Sequence, residues 1–182
     1  MASVTTSDPP QERQGAITLK GNPVTLVGPQ IQVGMKAPNF QVIAHDSAPV
    51  TLADSKGNTR LISVVHSVDT GICDAQTRRF NQEAAKLPGV EILTISMDLP
   101  FALKRWCGAA GVDKVKVLSD HREASFGRAY GVLIKEARLL ARALFVIDPQ
   151  EVVRYVEYVP EVGSHPNYDA ALAAARQSAK AV

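Results

Sequence analysis

Leu61-Ile62-Ser63-Val64-Val65-His66-Ser67-Val68-Asp69-Thr70-Gly71-Ile72-Cys73 is the stretch from which the rest of the chain can be read. Its first five residues form an apolar, β-branched run of the length a buried strand favours. Asp69, Thr70 and Gly71 are cap and turn residues. Beyond Cys73, the apolar positions Ala75, Phe80, Ala84 and Leu87 recur with gaps of three to five, a helical spacing. The pattern is strand, polar turn, then a cysteine in the first helical turn. Free backbone N–H groups and the positive end of the helix dipole favour the charged form of a thiol there. The spacing predicts a nucleophilic Cys73, with the Thr70 hydroxyl placed to hydrogen-bond the sulfur or a ligand beside it.

Working outward, Ile17–Lys20 and Val24–Val27 alternate around Gly21-Asn22-Pro23, which predicts an N-terminal β-hairpin. A short strand is expected at 41–44. Downstream, Leu87-Pro88-Gly89 stops the Cys73 helix, and strands are expected at 90–96, 115–118, 143–147 and 152–156. Leu99-Pro100 opens a second helix, with proline suited to the first turn, and that helix carries Trp106 and Cys107. Shorter helical stretches are expected at 123–130 and 168–179. Crossover helices make the middle strands parallel, and the closing hairpin adds an antiparallel edge. The expected architecture is α/β, a mixed central sheet with helices on both faces, compatible with a thioredoxin-like core.

The 182 residues suit one domain over 16–182, preceded by a polar tail over 1–15 that contains Pro9-Pro10 and reads as disordered. Net charge of +2 gives no reason to invoke nucleic acid or a membrane surface. No apolar run approaches the ~18–20 residues of a transmembrane helix, and no signal-peptide core is visible. A reducing cytoplasm is the expected location. Two cysteines there fit a redox or catalytic pair better than a permanent staple. Cys107 lies 34 residues after Cys73, so the pair is not a Cys-x-x-Cys motif. His45, His66, His121 and His165 are scattered without ligand spacing, and no metal site is expected.

What remains is a nucleophilic thiolate with a resolving partner. Such a thiolate attacks a peroxide O–O bond, becomes a sulfenic acid, and condenses with a second thiol. The leaving oxygen develops negative charge, so a fixed cation lowers the barrier. Arg142, at the start of the apolar run 143–147, is the leading candidate, and Arg78, Arg79 and Arg122 are less specific ones.

Asp69-Thr70-Gly71-Ile72-Cys73 resembles the peroxidatic loop of the peroxiredoxins, in their thiol peroxidase subgroup of atypical two-cysteine enzymes. Further stretches match that subgroup in order. They include Gly21-Asn22-Pro23-Val24-Thr25, Phe80-Asn81, Asp98-Leu99-Pro100-Phe101-Ala102, Arg105-Trp106-Cys107-Gly108-Ala109, Phe126-Gly127, Ala141-Arg142-Ala143 and Tyr168-Asp169-Ala170-Ala171-Leu172. The resemblance runs over roughly residues 17 to 175. It implies a thioredoxin-like fold with an N-terminal hairpin, a homodimer, and reduction of hydrogen peroxide and organic hydroperoxides. It implies Cys73 as peroxidatic thiol, Cys107 as resolving thiol, Thr70 and Arg142 as activating partners, and thioredoxin as the reductant of a Cys73–Cys107 disulfide. No metal or organic cofactor is implied.

The chain departs from the subgroup at His66, where the motif has proline. Proline packs over the cysteine, whereas histidine is larger, carries an N–H and frees φ. The expectation is a more exposed Cys73, or added positive charge at mildly acidic pH. His66 also has a bland reading as a tolerated strand-end residue, as Thr70 has one as a simple cap and Arg142 as a surface charge. Three functions therefore stay open: a thioredoxin-dependent peroxidase, a peroxide-sensing redox switch, and a fold that has lost turnover. Two helical cysteines are not expected at the ~4.4–6.8 Å Cα separation a disulfide requires, which predicts local unwinding on oxidation.

Overall fold

The computed structural model describes residues 9–180. The expected tail lies mostly outside that range, and its inner boundary is shorter than expected, because residues 12–15 already belong to the first strand. Strands β1 (Glu12–Leu19) and β2 (Asn22–Val27) form the hairpin, joined through Lys20 and Gly21, both at positive φ. That is the backbone a two-residue hairpin turn demands. Strands β3 (Gln41–Ile43) and β4 (Pro49–Thr51) form a second, smaller hairpin that leads to β5 (Thr59–Val64). Next come α1 (Gly71–Ala84), β6 (Val90–Ser96), α2 (Pro100–Ala110), β7 (Lys116–Ser119) and the short α3 (Ser125–Ala129). A tight pair, β8 (Leu133–Ile134) and β9 (Leu139–Leu140), precedes β10 (Ala143–Ile147), β11 (Val153–Tyr158) and α4 (Tyr168–Lys180).

The main sheet has seven strands in the order β11-β10-β5-β6-β7-β3-β4. Strands β5, β6 and β7 run parallel, linked by α1 and α2 as crossovers, while β10 pairs antiparallel with β5 and β11 with β10. Every residue of β5 and β10 is buried, as expected for central strands covered on both faces. Side chains alternate between two cores. Leu61 and Val65 face the helices with Leu144 and Val146, whereas Ile62 and Val64 face the opposite side with Phe145 and Ile147.

The helices are not shared evenly between the faces. Helices α1, α2 and α4 contribute to the core that holds Cys73. A separate four-stranded sheet, β1-β2-β8-β9, covers the other face together with α3. The sequence reading missed this second sheet because two-residue strands carry no period of their own. The two sheets meet under an aromatic cluster in which Phe126 stacks on Tyr130 at 4.4 Å and Phe145 stands edge-on to Tyr130 at 5.2 Å. Gly28 (φ +111°) is required at this junction, since a Cβ there would overlap the Arg128 carbonyl oxygen.

Candidate active site

Cys73 sits where the sequence places it, in the first turn of α1 after the end of β5. Thr70 is the N-cap residue, with extended backbone (φ −100°, ψ 144°), and its carbonyl accepts the first helical bond from the Asp74 N–H. Helix geometry leaves the N–H groups of Gly71, Ile72 and Cys73 without intrahelical acceptors. The Thr70 hydroxyl does not reach the sulfur, however. It donates to the Ser67 carbonyl at 2.9 Å and braces the loop, while the residue itself is exposed.

Arg142 arrives from the far end of the sequence through the sheet register. Ala143 on β10 pairs with Val64, the last residue of β5, so the preceding arginine stands beside the Cys73 loop. The residue is 2% exposed. It donates to Cys73 Sγ at 3.2 Å, to Gln76 Oε1 at 2.7 Å and to the Val162 carbonyl at 2.9 Å. Among the described residues no carboxylate lies within ion-pair distance of it. A buried cation held only by neutral acceptors is costly, and negative charge on the sulfur offsets that cost.

Gln76, absent from the sequence candidates, is the hub of this arrangement. It is fully buried and donates to Ser63 Oγ at 2.8 Å while accepting from Arg142. Its spacing of three from Cys73 puts it on the same helical face, which is the signal by which it was findable. Asp98, just past the C-terminal end of β6, was quoted only as part of a matching stretch. It accepts from Ser67 Oγ at 2.7 Å, the Val68 N–H at 2.9 Å and Ser96 Oγ at 2.7 Å, and so ties the Cys73 loop to the sheet. The other arginine candidates are engaged elsewhere: Arg78 with Asp74, and Arg79 with Asp169 and over the Tyr168 ring. Arg122 is exposed.

The expectation that His66 leaves Cys73 more exposed is corrected. Cys73 has no exposed surface, because Val65 and Val68 pack with it in one core and the His66 ring turns to the Leu140 carbonyl, 3.1 Å from Nδ1. The fold also works against charge on the ring. Burial lowers its pKa from the ordinary value, and the Arg142 charge adds to that against the carbonyl and Asp98.

Cys107 is a half-buried free thiol in α2, and Cys73 is also free. Burial pushes the Cys107 thiol up. Cys107 lines a cleft of about 440 Å³ together with His45, Val50 and Val117. Among the described residues no three His, Cys, Asp or Glu side chains are grouped to hold a metal, and no helix is long and apolar enough to cross a membrane.

The chain as a whole is similar to known proteins. A profile of the Redoxin family matches residues 32–172. The chain is similar to the thiol peroxidase of Halalkalibacterium halodurans, 64% identical over 161 residues, which is 88% of this chain and 97% of that protein. It is 58% identical over 164 residues to the thiol peroxidase of Bacillus subtilis, 90% of this chain and 98% of that one. Among solved structures, a peroxiredoxin-like protein from Aquifex aeolicus superposes with a TM-score of 0.84 at 40% identity, covering 90% of this chain and 98% of that one.

Proposed function

Because the chain belongs to the Redoxin family and is a thiol-dependent peroxidase of the peroxiredoxin type, we propose that Cys73 is its peroxidatic thiol and Cys107 its resolving thiol. The observation that carries this is the Arg142 guanidinium on Cys73 Sγ at 3.2 Å in the first turn of α1. The Cys73 thiolate attacks one oxygen of a hydroperoxide, the O–O bond breaks, and the departing alkoxide or hydroxide takes a proton to leave as alcohol or water. Arg142, fixed by Gln76, stabilises the charge that develops on the leaving oxygen. Thr70 supplies a hydroxyl at the entrance, with its lone pairs free to accept from the incoming peroxide. Cys73 is left as a sulfenic acid. The Cys107 sulfur then attacks it, water departs, and a Cys73–Cys107 disulfide forms. Thioredoxin returns both thiols by thiol–disulfide exchange.

Hydrogen peroxide and organic hydroperoxides are the substrates on this reading, and the cycle runs on thiols without a metal or organic cofactor. The same reading makes the enzyme a cytoplasmic homodimer, and the exposed Leu99 and Phe101 at the start of α2 supply apolar surface for a second copy. The test is peroxide consumption coupled to thioredoxin, thioredoxin reductase and NADPH. Wild type turns over; Cys73→Ser does not; Cys107→Ser consumes one equivalent of peroxide and stops. Thioredoxin-linked turnover by Cys73→Ser would overturn the assignment. Slow turnover by wild type beside a competent control enzyme would favour the redox switch.

A further inference from the structure

The two helices that carry the cysteines are joined by a clasp built from the residues next to them. Asp74 follows Cys73, and Trp106 precedes Cys107. Trp106 Nε1 donates to Asp74 Oδ1 at 3.1 Å, and Arg78 Nε donates to Asp74 Oδ2 at 2.8 Å. Arg78 Nη1 also donates to the carbonyl of Ala110, the last residue of α2, at 3.0 Å, and its guanidinium lies 5.7 Å from the Trp106 ring centre. One turn on, Asn81 Oδ1 accepts from the N–H groups of Asp113 (3.2 Å) and Lys114 (2.7 Å). Positions 74, 78 and 81 share one face of α1, so that face holds the C-terminal half of α2 and the loop that follows it.

The clasp has a consequence for the thiols. Adjacent helical residues point about 100° apart. Trp106 faces α1, and Cys107 is therefore turned away, onto the cleft with His45 and Val50. The indole, in the same core as Cys73, takes the side of α2 that faces α1.

We propose that Asp74, Arg78 and Trp106 are positioning residues that hold the dithiol form closed, and that their release admits Cys107 to Cys73. The proposal rests on the assignment of Cys107 as the resolving thiol. The clasp is present with both thiols free, and on this proposal it breaks when the disulfide forms, so that it opposes the disulfide both at equilibrium and on the way to it. Opening it leaves the Cys73–Arg142–Gln76 cluster intact, since no clasp residue bonds to those side chains.

The experiment compares wild type, Asp74→Ala, Arg78→Met and Arg78→Lys. Without peroxide, the chain is equilibrated with reduced and cyclic oxidised dithiothreitol, which exchange two electrons and two protons with the Cys73–Cys107 pair. Trp106 is the only tryptophan, so its emission follows the clasp directly while alkylation counts thiols. Asp74→Ala and Arg78→Met each remove two of these bonds and shift the equilibrium constant toward disulfide by at least about tenfold, the effect of a single charge-assisted bond. Arg78→Lys, which keeps the charge, falls between them and wild type. In single-turnover stopped flow the first-order disulfide step accelerates by a similar factor, while the peroxide-dependent step stays within about twofold. A variant that merely loosened the fold would also disturb the Arg142–Gln76–Cys73 cluster and slow the peroxide-dependent step. An unchanged equilibrium and an unchanged or slower disulfide step in both Asp74→Ala and Arg78→Met would overturn the clasp. Shifted equilibria in a chain that consumes no peroxide would uphold the clasp and overturn the peroxidase mechanism.

Discussion

In the proposed mechanism Arg142 is the residue on which the chemistry turns, because its three bonds serve three different ends. Val162 anchors it, Gln76 sets its rotation, and the third N–H is left for the sulfur. Lysine carries the same charge but has neither the planar fork nor the Nε donor. Arg142→Lys is expected to lower the second-order rate constant for peroxide by roughly 10²-fold, within the range for loss of one oriented donor at a reacting centre, as read by stopped flow on the reduced enzyme. His66 acts on stability instead. Its pKa is lowered in the fold, so the unfolded chain takes up the proton first as pH falls. Stability from the neutral ring is complete above the unfolded value and is lost as pH drops toward the folded one. The unfolding free energy of His66→Pro is therefore expected to fall less than that of wild type between about pH 7 and pH 5, compared by urea denaturation. Parallel curves for the two proteins would rule this out.

At the scale of the element, α3 shows how a five-residue helix survives. The Asp120 carboxyl accepts from the Phe126 N–H at 3.0 Å and the Gly127 N–H at 2.7 Å, satisfying donors that a short helix leaves free. Gly127 is packed so closely that a Cβ there would press on Leu140. Burial nevertheless pushes the Asp120 carboxyl up to about 6, against the pull of those N–H groups. The folded state then holds its proton more tightly than the unfolded chain, and this group makes stability fall as pH rises from about 4 to about 6. Asp120→Asn removes that slope and turns an amide NH₂ toward one backbone N–H. It is expected to destabilise by about 1–2 kcal/mol and to flatten the stability profile across that range, both measurable by thermal unfolding at several pH values.

At the scale of the whole molecule, the sheet separates what is rigid from what must move. Arg142 and the Asp98 tether belong to the sheet side, on β5, β6 and β10 or at their ends, and every residue of β5 and β10 is buried. The cysteines sit on helices, Cys73 in a first turn with few backbone bonds and Cys107 near a last one. Oxidation to the disulfide is expected to speed amide exchange by at least about tenfold over residues 71–77 and 103–110, with the central strands unchanged. Hydrogen exchange on both redox states checks this, and uniform protection in the two would refute local unwinding.

Much of this was legible along the chain because its causes are local. The helix-start setting of Cys73, the proline start of α2, and the strands at 90–96 and 143–147 depend on residues within one turn or one strand of each other. The order of these elements was enough for parallel middle strands with an antiparallel edge. Tertiary structure alone decided which polar groups meet. Gln76 became a hub because the pairing of Ala143 with Val64 delivered Arg142 to it from another strand, and the Thr70 hydroxyl turned to a carbonyl in its own loop. It also placed three helices on one face, gave the other to a second sheet, and set Trp106 rather than Cys107 against α1. The physical reason is that hydrogen bonds and packing between distant residues follow sheet register and helix rotation, and neither is written in local periodicity.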